Sequence, residues 1–265
     1  DPFDGLNSPF FDFLPKARIL NIFLLQFIKR FPFNIRPFLR IKKEFNAKEI
    51  GLLLSAYVDR YALSKQEDDL SKIKFFSDWL IENRNSGYSG SCWGYNFDWP
   101  NKAFFVSKGT PNIVVTTFVA QAFLDVFRHF NEKRYLQHAR SACDFILQDL
   151  HRTQDRDSYC FSYTPIDTSK IHNVNMLAAA LLSQVYYFTR EVELLEAAQR
   201  AVLFTLRRQN DNGSWFYGEA PYQRWIDSFH TGYILMALSN YMHATFDFRC
   251  RESLEKGYRF LKDRF

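Results

Sequence analysis

Glycine and proline are scarce in this 265-residue chain, at ten and nine. Tight turns are correspondingly few, which excludes a sandwich or barrel of many short strands and points to long helices. Cysteine is sparse too. None of Cys92, Cys143, Cys160 and Cys250 stands in a C-x-x-C pair. Neither a zinc site nor a disulfide framework is expected, and free thiols in a reducing, cytoplasmic compartment are the plain reading. No strongly apolar run reaches the length of a membrane span; the longest, residues 19–28, includes Asn21 and Gln26. The chain lacks an initiator Met and a secretory pattern, so Asp1 is read as a processing boundary.

Apolar residues make up 47% and aromatic residues 18%, chiefly through 29 Phe. That is enough for a sizeable core. The net charge of +5 is gathered near the start, where Lys16, Arg18, Lys29, Arg30, Arg36, Arg40, Lys42 and Lys43 face only Asp1, Asp4 and Asp12. No basic stripe runs through the remainder, which argues against a nucleic-acid partner. The same segment carries Phe10, Phe11, Phe13, Leu14, Ile19, Leu20, Phe23, Leu24, Phe27, Ile28 and Phe31. Residues 1–46 therefore read as a basic aromatic arm. Either it packs across the main body, or residues 10–43 rest on an anionic membrane surface, peripheral to the inner membrane.

Beyond residue 46 the chain repeats. First helices are expected at 47–63, 111–129, 172–189 and 228–244, a spacing of about 60 residues. Second helices are expected at 67–84, 132–151, 191–209 and 250–264. The two kinds differ. Residues 111–129 and 174–188 are apolar nearly all round, as in helices buried on every side. Residues 132–151 are one-faced, with Tyr135, Leu136, Ala139, Cys143, Ile146 and Leu147 at helical spacing and charges between them. Buried helices alternating with half-exposed ones describe two concentric rings. The fold class expected is all-α, an α/α toroid with four helix hairpins over 47–265. A superhelical solenoid is the alternative, though its repeats are usually shorter than about 50 residues. The long connections, 85–110, 152–171 and 210–227, all follow second helices, so all should emerge at one end, where function usually sits.

Each connection holds a related phrase: Gly90-Ser91-Cys92-Trp93-Gly94-Tyr95, Ser158-Tyr159-Cys160-Phe161, and Gln209-Asn210-Asp211-Asn212-Gly213-Ser214-Trp215. The last resembles the glutamine–tryptophan repeat of triterpene cyclases, although the acid motif of those enzymes, an Asp-x-Asp-Asp run, is missing. A wider resemblance rests on residues 1–9, on Trp93-Gly94-Tyr95-Asn96-Phe97-Asp98-Trp99, on Gly109-Thr110-Pro111-Asn112, on His172-Asn173-Val174-Asn175 and on residues 225–233. Together these resemble a bacterial α/α-toroid family associated with exopolysaccharide and lipopolysaccharide gene clusters. The resemblance implies surface-polysaccharide metabolism and a glycan or sugar substrate. Such toroids commonly hold six or so hairpins, so with four the ring is incomplete, closed by the N-terminal helices, or continued by further sequence.

The candidate site follows from the helix starts. His172 and His230 open successive buried helices, and Asp227 lies three residues before His230 on the same face, which suits a carboxylate-oriented imidazole. His172, Asp227, His230 and Tyr233 are the catalytic candidates. Trp93, Tyr95, Trp99, Trp215 and Tyr217 offer ring faces for sugars. Asn112, Asn173, Asn175 and Asp98 offer polar contacts, and Arg224 suits a uronate carboxylate. Helix capping and ordinary hydrogen bonding are the competing roles for Thr110, Asp227, the three Asn and both His. No third ligand accompanies the histidines, so neither metal nor cofactor is expected. The function expected is a carbohydrate-active enzyme with lyase- or epimerase-like proton abstraction on a uronate-containing glycan. The alternatives are a non-catalytic glycan-binding or assembly protein and a terpenoid-type toroid acting on an isoprenoid.

Overall fold

A computed structural model describes residues 2–11, 18–100 and 105–265. Asp1, Asp12, Phe13, Leu14 and Lys16 of the arm lie outside the described residues. The rest of the arm consists of short 3₁₀ turns at Pro2–Asn7 and Pro9–Phe11 and a helix, α1, at Arg18–Arg30. Four helix hairpins follow. Their first members are α2 (Ala47–Ser64), α4 (Ile113–Phe130), α6 (His172–Thr189) and α8 (Ser228–Thr245). Their second members are α3 (Glu67–Glu82), α5 (Lys133–Asp144), α7 (Val192–Leu206) and α9 (Arg251–Arg264). A π-helical segment at Phe145–Asp149 extends α5.

The chain forms an α/α toroid arc of inner and outer helices. The inner helices pack in chain order, α2 on α4, α4 on α6 and α6 on α8, and each packs on its own outer helix. In α6 every residue from His172 to Val185 is buried, whereas α9 buries only Gly257. Helix α4 is apolar and long enough to cross a bilayer, yet 61% of it is buried in this core. All four inner helices end the same way. Lys65, Asn131, Arg190 and Phe246 each take a left-handed conformation, with φ of 53, 56, 61 and 58°, and each donates its N–H to a carbonyl four residues back. Only Asn is at ease there, so three of the four turns store strain of about 1 kcal/mol or more apiece. That repeated stop keeps the far-end turns short and leaves the other end for the long connections.

Those connections share one end, as the repeat pattern predicts. Trp99 of the first meets Tyr163 of the second at 5.0 Å between ring centroids. The Ile113 amide donates to the Tyr163 carbonyl, and the His172 amide to the Tyr217 carbonyl, both at 3.0 Å. Backbone bridges pair Gly94 with Pro111 and Ile171 with Gly218. A Cβ on Gly94 would lie 2.3 Å from the Thr110 carbonyl oxygen, and one on Gly218 only 2.9 Å from that of Lys170. Both glycines are therefore fixed by close backbone approach.

Two small antiparallel hairpins in these connections were not expected. Strand β1 (Trp99–Pro100) pairs with β2 (Phe105–Val106), and β3 (Arg152–Asp155) with β4 (Ser158–Phe161). Strand β4 is buried at all four positions, so it shows no alternation of polar and apolar residues for a sequence reading to detect.

The arm packs with one face only. Phe3 stacks on Phe97 at 5.4 Å, Asn7 donates to the Asn96 carbonyl at 2.8 Å, and Arg36 pairs with Asp4 at 2.8 Å. Asn21, Leu25 and Ile28 of α1 are buried. The opposite face shows Ile19 at 71%, Phe23 at 70% and Phe27 at 56% exposure.

Candidate active site

The start of α8 builds the most chemically specific arrangement. Asp227 caps the helix from an extended backbone conformation, its Oδ1 accepting from the His230 amide at 2.8 Å. Its Oδ2 lies 2.6 Å from His230 Nδ1 and accepts from Trp225 Nε1 at 3.1 Å. Burial pushes the Asp227 carboxyl up, but the bonds from the His230 amide and ring and from the Trp225 indole outweigh it and hold the group below its ordinary pKa. Against this carboxylate Nδ1 is the ring donor, which leaves Nε2 as the nitrogen that can meet a ligand. Nε2 has no hydrogen-bond partner among the described residues, and the His230 side chain is 28% exposed.

Aromatic rings hold this pair from several sides. Tyr217 stacks on Trp225 at 4.3 Å and meets His230 at 4.6 Å. Phe229 touches both His230 and Tyr233, at 5.3 and 4.6 Å. Tyr95 hydrogen-bonds Tyr163, stacks on Phe97 at 5.1 Å and meets Trp99 at 5.7 Å. Burial pushes the Tyr95 phenol up to about 12, and the nearby Tyr233 adds to that rise. Burial also raises Tyr217, with Tyr95, Asp167 and Asp227 adding to it, and it raises Tyr233. These hydroxyls stay protonated at neutral pH and so remain hydrogen-bond donors. Asp227, His230, Tyr233, Tyr95 and Tyr217 thus come together from two connections and α8.

Four of the expected residues are turned away. His172 is 1% exposed, its ring 6.0 Å from that of Phe204 and its Nε2 2.9 Å from Glu219 Oε1. Arg208 holds the other Glu219 oxygen at 2.9 Å. The bond from His172, then that from Arg208, takes Glu219 down to about 2. His172 is thus a buried partner of Glu219 rather than a second base beside His230. Trp93 and Trp215 are each 1% exposed, with indole N–H groups donating to the Leu80 and Thr205 carbonyls. Neither offers a ring face to a ligand. Asn175 accepts from the Phe161 amide and donates to the Ala201 carbonyl and the Thr205 hydroxyl, which occupies it fully.

The remaining candidates divide. Asn112, rather than Thr110, caps α4, accepting from the Val115 amide, and its Nδ2 is buried without a partner. Asn173 is buried with Oδ1 unpartnered. Asp98 accepts from the Lys108 amide at 2.7 Å and lines a separate cleft with Arg40, Lys42 and Glu44 against the arm. Trp99 is half-buried, and Arg224 is exposed beside Phe216. Among the described residues no three His, Cys, Asp or Glu side chains gather as metal ligands.

Sequence reading missed Tyr163, Glu219 and Lys48. The Lys48 ammonium lies 4.6 Å from the Phe118 centroid and 5.8 Å from that of Tyr233. The available signal was a cation in the first turn of an inner helix, where the dipole disfavours it.

No protein-family model and no curated protein matches this chain. Its backbone is nevertheless similar to solved structures. A cellobiose 2-epimerase from Bacillus thermoamylovorans aligns at TM-score 0.65 and 10% identity over 99% of this chain and 74% of that one. An unsaturated glucuronyl hydrolase from a Bacillus species, described as responsible for glycosaminoglycan degradation, aligns at TM-score 0.60 and 16% identity over 82% of this chain and 62% of that one. An inactive α-1,6-mannanase variant from a Salegentibacter species, in complex with α-1,6-mannotriose, aligns at TM-score 0.62 and 20% identity over 82% of this chain and 60% of that one. The chain thus spans about three-fifths of the length of the latter two, and at these identities the shared property is the α/α-toroid fold.

Proposed function

We propose that this protein is a carbohydrate-processing enzyme in which His230, oriented by Asp227, transfers a proton on a sugar bearing a carboxylate. The observation that carries the reading is the 2.6 Å contact between Asp227 Oδ2 and His230 Nδ1, with Nε2 free. A carboxylate-oriented imidazole at the connection end of the helices suits removal of the acidic hydrogen beside a uronate carboxylate. In epimerisation His230 keeps the proton it removes, and a second donor, for which Tyr233 is the candidate, delivers a proton to the other face of the carbon. In elimination the C–H electron pair forms the new double bond as the neighbouring C–O bond breaks, and the leaving oxygen takes a proton. Tyr233, kept protonated by burial, is placed one helix turn from His230 to supply it. Two-acid hydrolysis fits less well, because Asp98 is engaged at Lys108 against the arm while Asp227 serves His230.

The three solved relatives act on, or are bound to, carbohydrate by their descriptions, which supports a sugar substrate. The motif resemblance supports a role in bacterial surface polysaccharide. The test is a panel of uronate-containing glycans with the purified protein, followed by NMR for deuterium exchange beside the carboxylate and by ultraviolet absorbance for an unsaturated product. Exchange or elimination that His230→Ala abolishes supports the reading. Binding without turnover on every glycan would make the protein a glycan-binding module instead.

The exposed face of α1 supports a second proposal, peripheral contact with an anionic bilayer. Ile19, Phe23 and Phe27 form a stripe at four-residue spacing, and Phe33 and Phe38 are exposed beyond it. Lys29, Arg30, Lys42 and Lys43 are exposed on the same arm. Apolar insertion with a basic surround is complementary to acidic headgroups.

A further inference from the structure

Lys48 is placed where a lysine is hard to keep. It occupies the first turn of α2, and its own amide donates to the cap residue Asn46 at 2.9 Å. A cation here opposes the positive end of the helix dipole. The side chain is half-buried, and burial alone lowers its pKa. No carboxylate pairs with it among the described residues. By contrast Lys108 pairs with Glu44 at 3.0 Å and Arg208 with Glu219 at 2.9 Å. What holds the Lys48 ammonium is the face of Phe118, at 4.6 Å, with Tyr233 at 5.8 Å. Phe118 and Tyr233 themselves meet edge to face at 5.6 Å. Through Tyr233 and Phe229 this group is continuous with His230. Phe118 also lines, with Gly51, Leu52 and Met236, a cleft of about 150 Å³ between the inner helices.

An ammonium held by ring faces keeps its donors largely unsatisfied. A half-buried cation held only by ring faces, lacking a counter-ion, marks a place where a ligand supplies the charge.

We propose that Lys48 is the anion-recognition residue of this site, taking the carboxylate, or a phosphate in its place, of the sugar whose proton His230 transfers. The inference rests on the proposed proton-transfer reading and deepens it by assigning the charged group of the substrate to a residue. It moves that role from Arg224, which is exposed at the surface. With the anion on Lys48, the charge that develops as the neighbouring C–H bond breaks is stabilised where it forms. The apolar ring faces exclude water and strengthen that contact.

The test is protection of Lys48 from a limiting amine-acetylating reagent, read peptide by peptide by mass spectrometry on the full chain. The ligands are D-glucuronate, inorganic phosphate and glucose, at matched ionic strength, with exposed Lys42 and Lys43 as internal references. The expected result is protection of Lys48 by glucuronate and none by glucose; protection by phosphate as well widens the class to phosphorylated sugars. In a thermal-shift titration, Lys48→Met should weaken glucuronate binding roughly tenfold or more, the scale of one charge-assisted hydrogen bond. Lys48→Arg should restore most of it, and glucose binding should not change in either variant. Equal protection by glucose, or wild-type glucuronate affinity in Lys48→Met, overturns the Lys48 assignment and leaves the His230 reading standing. Failure of all three ligands to protect Lys48 overturns the assignment too, and the His230 reading is then decided separately by the deuterium-exchange assay.

Discussion

Trp93 and Trp215, 122 positions apart in the sequence, donate through the same atom to equivalent acceptors. Trp93 Nε1 reaches the Leu80 carbonyl at 2.8 Å, and Trp215 Nε1 the Thr205 carbonyl at 3.0 Å. Each acceptor lies in the last turn of the outer helix that precedes the Trp, and the Thr205 carbonyl also accepts from the Arg208 amide at 3.1 Å. The repeated phrase therefore ties off the preceding outer helix in the first and third connections, whereas in the second the Tyr159 hydroxyl donates to the Ala197 carbonyl of the following helix α7 at 3.3 Å. In the first and third connections it bonds a last-turn carbonyl and buries an indole in one step.

This predicts a stability effect without an active-site effect. Trp93→Phe should cost about 1–3 kcal/mol, from the lost bond and the Leu80 carbonyl it leaves, and Trp215→Phe about 0.5–1.5 kcal/mol, because the Thr205 carbonyl keeps the Arg208 amide. Because the two sites lie in different hairpins, the double variant should be close to additive. Urea unfolding measures both, and the sugar affinity of either folded variant should match that of the parent.

The Glu219 pair predicts a pH effect with a definite sign. Hydrogen bonds from His172 and Arg208 lower the Glu219 carboxyl from an ordinary 4.5 to about 2. A depressed carboxylate stabilises the fold above its unfolded pKa, and that contribution is lost as pH falls through the folded pKa. Stability should therefore decline between pH 4.5 and 2. The Glu219 side chain is 27% exposed, so screening reduces the share to ~2 kcal/mol. Glu219→Gln should flatten this part of the wild-type profile. Urea midpoints measured across the window for both proteins check it, and parallel profiles would remove the assignment.

The toroid was legible because its two signals are additive along the chain: a repeat of about 60 residues and an alternation of all-round and one-faced helices. The observed starts of α2 at Ala47, α6 at His172 and α8 at Ser228 fall on the expected positions. The site was legible only where one element carried it. Asp227 and His230 lie three apart on α8, so spacing alone brought them together. His172 has the same kind of position, yet its ring turns outward to Phe204 and Glu219. Side-chain direction at a helix start depends on the neighbouring outer helix, which one-dimensional spacing does not report. Lys48 was hidden for a related reason, since its surroundings come from α4 and α8.

The exposed stripe of α1 predicts lipid binding that depends on charge and on apolar insertion together. Vesicles of mixed phosphatidylserine and phosphatidylcholine should bind the protein in flotation, and pure phosphatidylcholine vesicles should bind it weakly. Phe23→Glu with Phe27→Glu should abolish the difference without unfolding the chain, because both side chains are already exposed. Binding should fall with added salt as the basic residues are screened. Co-sedimentation without vesicles, lost in the same variant, would identify the stripe as a self-association face instead.

The last prediction separates the two tasks of Asp227. It caps α8 by accepting from the His230 amide, and it orients the His230 ring through its other oxygen. Asn caps as well as Asp but its amide nitrogen cannot accept from the Trp225 indole, so Asp227→Asn should cost about 1 kcal/mol, and Asp227→Ala, which loses the cap too, about 1–2 kcal/mol more. Proton transfer should respond differently. Asn keeps a hydrogen bond to the ring but removes the charge that stabilises the imidazolium, and its amide can hold the wrong tautomer. Asp227→Asn and His230→Ala should therefore both lower turnover on the responsive glycan by roughly 10²–10⁴-fold. His172→Ala should lower stability and leave turnover per folded molecule near wild type. If Asp227→Asn keeps full turnover, the carboxylate is only a cap and His230 works without it. If His172→Ala loses as much activity as His230→Ala while remaining folded, the buried histidine belongs to the reaction after all, and the site extends to Glu219.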